Sequence, residues 1–142
     1  MMFMLAWIAG LVGMEGVAWA CHRWIMHGPL WSLHASHHRP YRGRFQANDW
    51  FGVFFAIPSI AFIAAGLAGK AALLGLGLGM TAYGLLYVLF HDALVHGRFG
   101  RLPMPRNAYL ARLVRAHRLH HACLERDGAR YFGFLWARGI RS

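Results

Sequence analysis

Acidic side chains are almost missing from this sequence. Among 142 residues, 5 Asp and Glu face 15 Lys and Arg, and all charged residues together make up 14 %. A soluble domain carries roughly 25 %. Cysteine is as scarce: Cys21 and Cys123 are the only two, which excludes a disulfide scaffold. Hydrophobic residues reach 58 %, which excludes disorder. A water-soluble chain of this length buries too small a share of its surface to hide so much apolar material. What remains is an all-α integral membrane protein forming one domain over residues 1–142.

Three stretches are nearly free of charge. Residues 1–20 carry only Glu15, and residues 51–69 and 71–90 carry none. At ~1.5 Å per residue, a run of about 20 residues matches the ~30 Å apolar core of a bilayer. The first run lacks a basic leader and a small-residue cleavage site, so it reads as a retained span, not a signal peptide. Gly75, Gly77, Gly79 and Gly84 suit close helix packing. With three crossings, 14 of the 15 basic residues fall on one face, and Lys70 alone lies on the other. The positive-inside rule makes the basic face cytoplasmic, and the setting an inner, plasma membrane crossed several times. The segment 102–121 sets Arg112, Arg115 and Arg118 beside Leu110, Leu113 and Leu119, an interfacial helix. Spread-out arginines without an accompanying motif do not read as a nucleic-acid surface. They suit anionic lipid or an acidic partner.

The 10 histidines all belong to short motifs, two H-x4-H pairs and two H-x2-HH triplets in alternating order. His22 and His27 precede His34, His37 and His38; His91 and His96 precede His117, His120 and His121. The boxes thus occupy 22–38 and 91–121, a weak internal repeat. In a helix, positions i, i+3 and i+4 share a face, so each triplet presents three imidazoles together. An i, i+5 pair diverges on a regular helix and converges only where the helix ends or bulges. All four clusters follow the ends of spans on one side of the membrane. That many neutral imidazoles suit iron, zinc or copper, and two metals with about five nitrogens each is the natural division. A haem cytochrome would need histidines inside the bundle, yet 51–69 and 71–90 contain none. A metal transporter would need polar ligands at mid-membrane, where only Glu15 comes near.

The clusters HRWIMHGPLWSLHASHH, HDALVHGRF and AHRLHHA resemble those of the bacterial β-carotene hydroxylases, in the fatty acid hydroxylase and sterol desaturase superfamily. GME at 13–15, NDW at 48–50, GMTAYGLLY at 79–87 and FGFL at 132–135 extend the resemblance. It implies a non-haem di-iron monooxygenase that uses dioxygen and an external donor such as a ferredoxin. It also implies that all ten histidines are ligands. The implied reaction is 3-hydroxylation of β-ionone rings, taking β-carotene drawn from the bilayer to β-cryptoxanthin and zeaxanthin in carotenoid biosynthesis. A related lipid or sterol hydroxylase or desaturase, and a non-enzymatic membrane metal-binding protein, stay open as alternatives.

Around these motifs the sequence offers further candidates. Asp92 beside His91 is either a partner for a ligand imidazole or a solvated helix-end carboxylate. Glu15, inside the first span, needs a partner, near the histidines or in another helix. Asn48 and Asp49 either cap the second span or support a ligand. Tyr83, Gly84 and Tyr87 are candidates to line a polyene groove between spans one and three, with Trp19 and Phe90 beside them. Trp7, Trp24, Trp31 and Trp50 read as interfacial belt residues, and the two cysteines as buried spectators. Arg98, Arg101 and Arg106 are the expected docking ground for an acidic ferredoxin.

Overall fold

The computed structural model describes residues 1–39, 45–137, 139 and 140. Arg42, Arg44, Arg138 and Arg141, counted in the charge asymmetry, lie outside them. The described residues form helices and irregular segments without a strand. Helix α1 (Met2–Ala20) runs into a π-helical turn, Cys21–Met26. A short helix α2 (Trp31–His34) is followed by a 3₁₀ turn, Ala35–His38. Helices α3 (Asp49–Leu67) and α4 (Ala71–Tyr87) follow, and α4 continues as a π-helical stretch, Val88–Val95. Helix α5 spans Ala108–His121.

Three continuous helices are long and apolar enough to cross a membrane: Met2–Met26, Asp49–Leu67 and Ala71–Val95. The first and third outrun the expected bounds of 20 and 90, because the chain keeps winding through the π turns. Gly97, at φ 60°, ends the third in the left-handed conformation that glycine adopts freely. Ile8, Val12, Val17 and Ile57 stay exposed on the outer faces, which suits helices of this length and apolarity to a lipid surrounding.

Glycine sets the helix contacts. A Cβ on Gly75 would run into the Phe3 carbonyl oxygen, and one on Gly79 into that of Trp7. Helices α1 and α4 therefore touch backbone to backbone. Helix α3 packs on the other side of α4, where Gly77 lies under Ser59 and Ile63. The Ser59 hydroxyl donates to the Gly77 carbonyl at 2.9 Å. Gly84 departs from the expectation of close packing: nothing lies within 4 Å of its would-be Cβ.

Helix α5 is amphipathic, as its pattern suggested. Its 14 residues reach about 21 Å, too short to cross. It buries Leu113, Val114 and Ala116 beside His117 and His120, and the Asn107 side chain caps it by accepting from the Leu110 N–H. Gly79→Leu should therefore drive α1 off α4 and lower the unfolding midpoint in detergent, by overpacking worth about 1–3 kcal/mol or more. Gly84→Ala should leave the midpoint unchanged; equal effects would contradict this packing.

Candidate metal centre

The π turns explain the H-x4-H spacing. The His27 N–H bonds to the His22 carbonyl at 3.1 Å, and the His96 N–H to the His91 carbonyl at 3.0 Å. These i→i+5 bonds widen the helix by one residue per turn, so residues five apart fall on one side. Each pair converges because its helix bulges.

The ten imidazoles gather into two sets of five. His22, His27, His34, His38 and His120 form the first, and His37, His91, His96, His117 and His121 the second. Within each set the candidate ligand nitrogens lie within 4.8 Å of one another. The sets obey the internal repeat. Each takes one H-x4-H pair and the i and i+4 members of the triplet that follows it. The middle histidine of each triplet crosses over: His37 joins the second set and His120 the first. The first set is wholly buried, whereas His96 leaves the second open to solvent.

Hydrogen bonds fix the tautomers. His22 donates from Nδ1 to the Phe132 carbonyl at 2.8 Å, and His27 to that of Arg126 at 2.7 Å. His38 donates to the Cys123 carbonyl at 2.8 Å and His120 to that of Arg130 at 2.9 Å. A carbonyl only accepts, so these four Nδ1 atoms carry the proton and each neutral ring turns an Nε2 lone pair inward. His34 bonds the Asn48 Oδ1 at 2.6 Å. In the second set, His37 bonds Gln46 Oε1 at 3.3 Å and His91 bonds Asp92 Oδ1 at 2.7 Å.

The inward nitrogens crowd together. Nε2 atoms of His22 and His34 are 3.1 Å apart, those of His27 and His120 3.2 Å, and those of His37 and His91 2.9 Å. His117 lies 3.2 Å from His96 and 2.9 Å from His121 by the same atoms. Between His27 and His120 no proton is available, so two lone pairs face each other in a buried place. A cation resolves that repulsion. Nitrogens bound at ~2.1 Å and at right angles stand about 3.0 Å apart, and the donor set therefore fits two metal ions.

The remaining candidates fall out as follows. Asn48 supports His34, and its side chain makes no capping bond to α3, so the capping reading is set aside. Asp49 accepts from the Gln46 N–H and pairs with Arg98, which also reaches Asp92 at 3.4 Å. Arg98 is thus bound up in ion pairs instead of standing clear for docking. Glu15 touches no histidine; it holds the backbone of residues 134–136 and the Tyr83 hydroxyl. The Trp31 ring packs against His27 and His38, at 5.0 and 5.2 Å between centroids. Cys21 and Cys123 are free and half-buried, and the useful atom of Cys123 is its carbonyl oxygen. Gln46 and the carbonyls of 123–132 were missed by sequence reasoning. A backbone oxygen leaves no residue-type signal, and Gln46 stands outside every motif.

A cavity of about 590 Å³ opens beside the histidines. Tyr83, Gly84 and Tyr87 line it, as expected of a groove. It lies between α3 and α4, with Met14 and Ala18 of α1 at its back, and not between spans one and three, which the glycine contacts close. Trp19 packs on Trp24 instead, and Phe90 sits in a small hollow under α5. The inner end of the cavity is walled by Asn48, Tyr87 and Phe134. Each touches the histidines: Tyr87 stacks on His91 at 4.3 Å, and Phe134 reaches His22, His91 and His117.

The family model described as fatty acid hydroxylase matches residues 7–138. The chain belongs to the fatty acid hydroxylase family. Among its relatives, the β-carotene hydroxylase of Pseudescherichia vulneris is 53 % identical over 131 residues, 92 % of this chain and 74 % of that protein. That of Pantoea ananas is 49 % identical over 127 residues, covering 89 % and 73 %. The chloroplastic β-carotene 3-hydroxylase 2 of Arabidopsis thaliana is 41 % identical over 118 residues, 80 % of this chain and 39 % of that protein. No solved structure matches the chain significantly.

Burial also shapes the titration of these family histidines. It pushes His34 and His120 down to about 3, against opposing bonds from Asn48 and the Arg130 carbonyl. It pushes His38 down to about 4. Unfolded histidines take up protons near pH 6.5, and the folded ones do not. Stability is therefore full above pH 6.5 and is lost as pH falls from there, toward 4 for His38 and toward 3 for His34 and His120, on the order of 1 kcal/mol per pH unit for each such residue. The unfolding midpoint of chelator-treated protein should drop between pH 7 and pH 5; a flat profile would contradict this.

Proposed function

We propose that this protein is a β-carotene 3-hydroxylase whose ten histidines hold two irons. The observation that carries the reading is the pair of five-nitrogen sets beside an apolar cavity embedded among membrane helices. The names of the relatives supply the substrate class. The histidines proposed as ligands are His22, His27, His34, His38 and His120 for one iron, and His37, His91, His96, His117 and His121 for the other. Iron activates dioxygen when bound, which zinc, having no redox chemistry, does not. The reaction consumes one dioxygen, two electrons and two protons, and yields a ring C–OH and one water.

The chain's own residues account for the rest. Asn48, Gln46, Asp92 and four backbone carbonyls hold the imidazoles in the ligating tautomer. The cavity follows α3 from Asn48 to Ile60, a rise of about 18 Å, into the apolar layer. A rod-shaped polyene enters there from the apolar side, while Asp49, Asp92 and Arg98 line the cavity near the histidines. Its leading ring comes to rest against Tyr87 and Phe134, next to both sets. Carbon 4 of that ring is allylic and intrinsically easier to oxidise than carbon 3, so placement must decide. Positioning supplies roughly 7–11 kcal/mol in favourable cases, while tenfold selectivity needs about 1.4.

The basic face is assigned to the cytoplasm of a plasma-membrane protein by charge asymmetry. A periplasmic reporter active after Ser142 would overturn that orientation. An acidic ferredoxin-type donor is assigned to the same face. With Arg98 in ion pairs, Arg101 and Arg106 are its nearer contacts, and its transfer rate should fall with added salt.

Expression in a bacterium that accumulates β-carotene tests the reading. The expected products are 3-hydroxy and 3,3′-dihydroxy carotenoids, one and two oxygens heavier. Replacing His22, His34, His91 or His117 by Ala should abolish them. Unchanged pigment with well-expressed protein would favour the metal-binding alternative, and near-normal turnover in two of the variants would overturn the ten-ligand assignment. Gly84→Leu fills the cavity wall and should lower turnover or leak oxidation to carbon 4, read by chromatography of the pigments; an unchanged product profile would remove the cavity from the substrate path.

A further inference from the structure

After α5 the described residues form no regular structure, yet they cover the first histidine set closely. Four carbonyls in ten residues, those of Cys123, Arg126, Arg130 and Phe132, accept from His38, His27, His120 and His22 in turn. Four of the five rings in that set thus take their orientation from one strap. None of the side-chain orienters of the second set, Gln46 and Asp92, lies on it.

An irregular strap needs an anchor, and its far end has one. Glu15 Oε1 accepts three consecutive backbone N–H groups, from Phe134, Leu135 and Trp136, each at 3.0 Å. Glu15 Oε2 accepts the Tyr83 hydroxyl at 2.8 Å. One carboxylate therefore joins α1, α4 and the strap. Gly133 is required for the approach: a Cβ there would lie 2.8 Å from Glu15 Oε1 and 2.6 Å from the Trp136 oxygen. Arg23 lies over the Phe132 ring at 5.0 Å and presses the strap from outside. Tyr131, at φ 62°, holds a left-handed conformation that a bulky residue adopts only under constraint.

We propose that Glu15 is a positioning residue: it locks the 123–136 strap over the first histidine set and thereby sets the metal affinity of that set far more than that of the second, which the strap meets through the Phe134 ring and not through a ring-orienting carbonyl. Releasing the lock frees the Phe132 carbonyl from His22 first, then the carbonyls behind it. Partners of this kind are worth 10–100-fold in metal affinity. The inference rests on the metal-centre reading above.

The full chain in detergent, stripped by chelator, is titrated anaerobically with Fe(II), and with Co(II) for its visible ligand-field bands. The wild type should bind two equivalents. His27→Ala and His96→Ala mark which equivalent belongs to which set. Glu15→Ala should weaken the His27-dependent equivalent 10–100-fold and alter its Co(II) bands, while the His96-dependent one stays within about threefold. Gly133→Ala, which keeps the carboxylate, should act the same way and carries the test if Glu15→Ala does not fold. Glu15→Gln, whose amide oxygen still accepts the three N–H groups, should restore most of the affinity. Loss of both equivalents together, or of neither, in folded Glu15→Ala or Gly133→Ala overturns the lock. A wild type that binds no metal overturns the metal-centre reading itself, before any variant is needed.

Discussion

A neutral imidazole owns one N–H and one lone pair, and a buried cluster of such lone pairs exists only if something outside it holds every proton outward. Here that something is a set of acceptors around the histidines, mostly backbone oxygens. The Nδ1–H···O bonds from His22, His27, His38 and His120 decide which nitrogen faces inward, and the fold must deliver an oxygen to each. This requirement explains why a chain so apolar keeps an irregular polar segment after its last helix. A helix could not do this work, because its carbonyls are already committed to its own N–H groups.

The same requirement gives the membrane helices their shape. Helices α1 and α4 are held together by glycine-to-backbone contacts, so their inner ends are placed side by side before any histidine contributes. Each then widens into a π turn that brings an i, i+5 pair onto one side. The triplets on the 31–38 segment and on α5 close the two sets from below. Exchange of His37 and His120 ties the sets together: neither can be completed by its own half of the chain. A duplicated pattern has become an interlocked pair.

How much of this could be read beforehand follows from which atoms do the work. Side chains with strong residue-type signals were legible: the three apolar spans, the amphipathic helix, the gathering of all ten histidines, and Tyr83, Gly84 and Tyr87 on a cavity wall. The i, i+5 spacing even required a bulge. What stayed hidden was carried by backbone. The carbonyls of Cys123, Arg126, Arg130 and Phe132 have no signature in sequence, nor does the triple N–H nest around Glu15. The sidedness of the groove was hidden for a related reason. Glycine is as compatible with contact, at Gly79, as with open space, at Gly84, and only the helix arrangement distinguishes them. Asn48 was ambiguous because an amide before a helix serves equally as cap or as partner, and the short bond to His34 decides it.

The two sets, though built from one repeat, are held differently, and the difference has an electronic consequence. In the first, the partners described are neutral amide and carbonyl oxygens. In the second, His91 donates to a carboxylate, Asp92, which Arg98 steadies. A carboxylate on the remote nitrogen makes an imidazole a stronger donor than a carbonyl does. The second set is also the one reached by solvent at His96 and overlain by Tyr87 at the cavity's end. Burial, neutral partners and a locked strap favour a rigid, unchanging environment. An open edge, a charged partner and an adjacent apolar cavity favour a responsive one. The bilayer supplies the reason both lie at the ends of the spans. An ionised site at mid-membrane would have to be desolvated on every side, whereas at this depth a water-reachable edge and an oily cavity meet within the length of one histidine box.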